Sequence, residues 1–214
     1  MWNLPPADSV LHLLSWVALA AQAMTAALVA GRRSMDWMGV CLLGAITALG
    51  GGTLRDVLLG HYPLAWVERP SYLLVTLLAP FVTIAMARLV YRLTTAFLVL
   101  DAIGLVVFTM IGCDVAWKLD VPFGIVIVAG MITGCAGGVL RDILCNDVPL
   151  LFRAELYASV SLVTGLFYAT GLTLGIIGDI WTALTFVLGF SFRLLAIRYK
   201  WNMPQFVFTG EERG

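Results

Sequence analysis

A cation beside an anion, just after a run of glycines, occurs twice in this sequence. Gly51 and Gly52 match Gly137 and Gly138, and Leu54-Arg55-Asp56 matches Leu140-Arg141-Asp142. Pro63 matches Pro149, and every pair is offset by 86 residues (141 − 55). Both blocks lie inside long apolar segments, where charged side chains are costly and mark pathways or locks. Each glycine weakens a helix by about 1 kcal/mol relative to alanine. A break frees backbone groups that lipid cannot satisfy, so it is tolerated only under protein cover or beside water. Gly50, Gly51 and Gly52, and again Gly137 and Gly138, are therefore expected to bend their helices toward an aqueous path. The alternative is that they let helices approach closely, as small residues do in membranes.

After the first run, Thr53-Leu54-Arg55-Asp56 has the form of a capping box for a new half-helix, with Asp56 at its positive end. Val139 replaces the threonine in the second copy, so that cap must come from elsewhere. Adjacent residues lie about 100° apart around a helix. Arg55 and Asp56, like Arg141 and Asp142, are thus expected to find partners on other helices or on freed carbonyls. The blocks then act as charged rings that gate or filter an ion, or as ion pairs that lock helices together. Asp101 is the other telling charge, flanked by Leu100 and Ala102. It reads as a path-lining carboxylate or as the partner of an arginine. Gln22, Thr25, Thr47, Thr109, Asp114 and Thr133 are further polar residues in or near spans, while Glu155 and Asp179 are expected to snorkel. His12 and His61 read as near-surface residues. No nucleophile–base pair, phosphate loop or metal-ligand spacing is present, so neither an enzyme nor a cofactor is expected. Cys41, Cys113, Cys135 and Cys145 form no CxxC pair and read as small core residues.

The elements that carry these residues follow from composition. Of 214 residues, 61% are hydrophobic and 12% charged, and mean hydropathy is +0.95. Soluble domains carry about a quarter charged residues, so a bilayer is the natural solvent. Net charge is zero, which argues against nucleic-acid binding. The start, MWNLPPADSV, lacks a basic leader and is expected to belong to the mature protein. Spans of about 20 residues are expected at Val10–Ala30, Met38–Leu59, Ser71–Tyr91 (interrupted by Pro80), Ala96–Trp117, Pro122–Leu144, Ala154–Leu174 and Ile177–Ile197. Gly60–Pro70 is expected as a loop. The fold class is thus an all-α integral membrane protein of seven transmembrane helices.

Arg32, Arg33, Arg88, Arg92, Arg153, Arg198, Lys200 and Arg213 fall on the side of the C-terminus, against Arg69 and Lys118 on the other. The positive-inside rule puts the C-terminus in the cytoplasm and the N-terminus outside. Each copy of the repeat holds three spans with its glycine block on the middle one. An odd number of spans forces the copies to insert upside down relative to each other. The expected layout is repeat 1 over 1–93, repeat 2 over 94–176, a seventh helix over 177–198 and a polar cytoplasmic tail over 199–214, all one membrane domain.

With these two blocks, the LDAIGL segment around Asp101 and the Arg-Leu-Leu-Ala-Ile-Arg end of the last span, the chain resembles bacterial relatives of the trimeric intracellular cation (TRIC) channels. The same family carries a "glycine transporter" domain label. The resemblance implies a homotrimer in the bacterial inner membrane with a pore in each protomer. It implies passage of monovalent cations, K+ and also Na+, and kinks in the second and fifth spans at Gly50–Gly52 and Gly137–Gly138. The basic cluster through which animal members bind an inositol lipid has no clear counterpart here. The competing expectation is a secondary transporter of glycine or another small zwitterion, since broken helices suit either task.

Overall fold

The computed structural model describes residues 9–87, 93–153, 156–176 and 178–203, and every regular element among them is helical. The long apolar runs become α1 (Ser9–Arg32), α2 (Trp37–Leu59), α4 (Ser71–Ala87), α5 (Leu93–Lys118), α6 (Phe123–Leu144), α8 (Tyr157–Thr173) and α9 (Asp179–Tyr199). Two single turns, α3 (Ala65–Glu68) and α7 (Leu150–Arg153), follow the two charged blocks. The expected loop Gly60–Pro70 therefore contains a helix. Asp36 caps α2 by accepting from Gly39 N at 2.7 Å. Gly60 ends it at φ 66°, where a side chain would be strained.

The chain is a multi-pass membrane protein. Five helices (α1, α2, α5, α6 and α9) are long and apolar enough to cross a bilayer. α4 and α8 have 17 residues each, about 26 Å at 1.5 Å per residue, shorter than the expected spans there. Pro80 sits inside α4 without interrupting it. Arg88, Arg92, Glu155, Ile177 and Arg213 lie outside the described residues.

Lipid tails are as apolar as leucine, so helix contacts in a membrane rely on close approach of small residues. The interior accordingly holds Ala18, Ala23, Ala26, Ala30, Ala102 and many threonines, while Leu13, Leu42, Leu74, Ile180 and Val187 face outward. All four cysteines are buried and free. α5 and α6 pair along their length; α6 also packs on α2 and α8, and α1 spans α2, α4 and α5. α9 begins beside α1, because Asp179 accepts from Ser9 Oγ at 2.6 Å and Val10 N at 3.0 Å. Asp179 is thus a tertiary cap for α1 rather than a snorkelling residue. Asp179→Ala is expected to lower stability by about 1 kcal/mol, read as a shift in the denaturation midpoint in detergent.

Candidate functional site

α2 and α6 meet at their glycines. A Cβ on Gly51 would lie 2.3 Å from the Thr133 carbonyl oxygen, and one on Gly137 would lie 2.2 Å from that of Thr47. Thr47 and Thr133 carry the same offset of 86 as Gly51 and Gly137, so the two contacts exchange into each other. That is the signature of a twofold, isologous contact. Residues ascending α2 (47, then 51) meet residues descending α6 (137, then 133), so the helices run antiparallel at this crossing. Gly50 faces Leu140 Cδ1, which its Cβ would approach to 2.6 Å.

Neither glycine run breaks its helix: α2 is helical throughout Trp37–Leu59 and α6 throughout Phe123–Leu144. The expected interruption is thereby corrected. The propensity lost at the glycines is offset by backbone-to-backbone packing that any side chain would forbid. The glycines do let the two helices approach closely, and both helices stay continuous there. The capping box is corrected with it, since Thr53 Oγ1 donates to Leu49 O at 2.8 Å, an ordinary bond within a continuing helix. It also accepts from Trp66 Nε1 at 3.1 Å, which fastens α3 to α2. Thr47 and Thr133 satisfy their hydroxyls on Leu43 O and Ala129 O.

Four residues beyond each contact glycine, about 6 Å along the helix, stand the charged blocks. They lie on opposite sides of the crossing because the helices are antiparallel. In the first, Arg55 Nε and Nη2 donate to Asp56 Oδ1 at 3.0 and 2.6 Å. Asp56 also faces His61 Nδ1 at 3.1 Å and accepts from Ala65 N at 3.3 Å. It therefore caps α3 instead of a half-helix. Gly52 opens toward Arg55, with Nη2 3.9 Å from where its Cβ would be. His61 is a partner of the block, not merely a surface residue.

In the second, Arg141 Nε donates to Asp142 Oδ1 at 2.9 Å. Its Nη1 donates to Asp101 Oδ1 at 2.9 Å and to Thr25 Oγ1 at 3.0 Å. The guanidinium lies 4.7 Å from the centre of the Phe97 ring. Asp142 Oδ2 accepts from Leu150 N at 2.9 Å and so caps α7. Gly138 sits beside this network, its Cβ position 3.2 Å from Tyr157 Oη.

Adjacent Arg and Asp thus do pair, against expectation. The long arginine stem curls back along its own helix, and burial leaves no water to compete. Arg55, Asp56, Asp101, Arg141 and Asp142 are all essentially excluded from solvent. Arg141 additionally finds the carboxylate on α5. Of the two roles open to Asp101, the arginine partner is the one seen. Tyr157 was not legible as a site residue: it belongs to neither block, and its counterpart under the offset is Ser71. Beyond the second block, a cavity of about 370 Å³ is lined by Arg32, Arg33, Phe97, Asp142, Asp147 and Leu150. An Arg33–Asp147 ion pair lies at this cavity. Among the described residues no cluster of His, Cys, Asp and Glu could hold a metal ion.

The family model described as a glycine transporter matches the chain twice, over residues 12–88 and 98–173. The matches begin 86 residues apart (98 − 12), the offset of the charged blocks. The crystal structure of the TRIC trimeric intracellular cation channel orthologue from Rhodobacter sphaeroides superposes with a TM-score of 0.85 at 34% identity, over 90% of this chain and 99% of that one. The chain belongs to the TRIC channel family. Among curated relatives, the UPF0126 inner membrane protein YadS of Escherichia coli K12 is 37% identical, over 92% of this chain and 96% of YadS. A UPF0126 membrane protein of Vibrio cholerae is 38% identical, over 94% and 84%. This TRIC family member therefore keeps the fold of its solved relative over nearly its whole length. These relatives are channels or membrane proteins, none of them described as an enzyme.

Proposed function

We propose that this protein is a channel for monovalent cations, admitting K+ and Na+, in the bacterial inner membrane. Each protomer of a homotrimer holds its own path, between an inverted pair of three-helix halves (1–93 and 94–176). α9 is an addition, giving seven spans, with the N-terminus outside and the C-terminal tail in the cytoplasm. The likeness to the Rhodobacter sphaeroides TRIC orthologue carries this reading. The exchange of Gly51–Thr133 with Gly137–Thr47 supports the inverted halves, and the neighbouring starts of α1 and α9 agree with an odd number of crossings.

In this arrangement the path is shut. The cavity beyond Asp142 forms one mouth, and the α2–α6 crossing seals its inner end. Opening parts the two helices at their glycines and draws Arg141 off Asp101. Asp101 then presents a carboxylate with no cation on it, which attracts a permeating ion and repels anions, while Asp142 keeps Arg141 Nε. Arg55 and Asp56 guard the opposite mouth. In planar bilayers, purified protein is expected to give unitary current steps in KCl, with a reversal potential set by the cations in a salt gradient. Saturable glycine uptake into liposomes without such steps would overturn the reading.

A further inference from the structure

Three buried polar atoms of the residues that face Gly138 make no hydrogen bond within the protein: Tyr157 Oη, Arg141 Nη2 and Asp101 Oδ2, the carboxylate oxygen that Arg141 Nη1 leaves free. Such groups in native structures are normally satisfied, by ordered water where protein atoms do not reach. The place where a Gly138 side chain would begin lies 3.2 Å from Tyr157 Oη, 3.7 Å from Arg141 Nη2 and 3.9 Å from Asp101 Oδ1. A donor, an acceptor and a hydroxyl that can be either thus face the spot just beyond it, which glycine leaves open. We propose that this spot binds a single ordered water molecule, which joins Tyr157 to the Arg141–Asp101 lock.

The chemistry selects the ligand. A cation would face the guanidinium and an anion would face the carboxylate. Only a small neutral group that both donates and accepts satisfies all three neighbours. The first block has no equivalent, because the Gly52 position meets only Arg55 Nη2, at 3.9 Å. Tyr157 is a positioning residue here. Its ring is held 4.8 Å from the Arg193 guanidinium of α9, so α8 and α9 fix where its hydroxyl points. The water stabilises the shut form, in which the three atoms are otherwise unsatisfied. In the open form the same atoms meet bulk water, so deleting the site penalises the shut form alone.

The functional half of this inference rests on the channel reading, whereas the water itself does not. In a high-resolution map of the assembled wild-type protein, a density peak is expected within roughly 3.2 Å of Tyr157 Oη, Arg141 Nη2 and an Asp101 oxygen. Gly138→Ala fills the spot and Tyr157→Phe removes one partner while keeping the ring on Arg193. Each is expected to raise open probability about tenfold, and the double variant no further, because both delete the same water. An empty spot in the wild-type map overturns the proposal, as do single effects that are absent or that multiply in the double variant. A wild-type protein that passes no current defeats the channel reading instead, and the map still decides the water.

Discussion

Gly137→Ala is expected to hold the channel open and to cost more stability than any other alanine placed at a glycine of α6. Its Cβ would meet the Thr47 carbonyl oxygen at 2.2 Å, a distance no packed structure sustains, and the neighbour is backbone that cannot rotate away. α2 and α6 must move apart at the crossing, along the coordinate that opening requires. Overpacking of a tight core costs about 1–3 kcal/mol, enough to shift a shut–open balance by roughly tenfold or more. Gly51→Ala should act alike, because its contact with Thr133 O at 2.3 Å is the exchanged copy of the first. Gly31→Ala and Gly124→Ala, where a Cβ meets nothing within 4 Å, are the controls. Single-channel recording gives the open fraction, and thermal denaturation of the purified oligomer gives the stability. Wild-type values in both for Gly137→Ala would falsify the sealed-crossing mechanism.

The second large effect concerns Arg141. Replacing it by methionine strands Asp101 and Asp142, two carboxylates within the protein interior. Breaking a buried ion pair by removing one partner costs about 3–5 kcal/mol, because the remaining charge is left uncompensated. Arg141→Met is therefore expected to lower the denaturation midpoint sharply, and the double variant Arg141→Met/Asp101→Asn to recover a large part of it. Arg55→Met should cost less. Asp56 keeps the Ala65 N–H and stays beside His61, and the first block has no second carboxylate corresponding to Asp101, whose counterpart is Ser15. Equal losses at Arg55 and Arg141, measured by the same denaturant titration, would show that Asp101 contributes nothing to the lock.

These expectations depend on features of unequal visibility in the chain. The blocks at Arg55 and Arg141 stood out because charged residues in apolar segments are costly, and because an offset of 86 repeats them. Their pairing did not stand out. Helical spacing says where a Cβ points, not where a flexible arginine ends once water is excluded. The glycine runs were visible as weak points of a helix. Whether weakness becomes a break depends on what packs against it, and here Thr47 and Thr133 supply backbone that keeps α2 and α6 helical. α3 and α7 were hidden for a related reason, since each is a single turn held by a carboxylate eight or nine residues earlier. Such turns have too little periodicity of their own to be read.

By itself, then, the amino-acid order determined the solvent, the approximate helices, the twofold repetition and the identity of the costly charges. Those are properties of composition and of local spacing, which the chain carries before it folds. The tertiary structure alone decided that Gly51 and Gly137 are contact points rather than breaks, that Arg141 takes Asp101 as well as its neighbour, and that Tyr157 stands over Gly138. Each of these joins residues on different helices, and only packing determines which distant groups meet when water is gone.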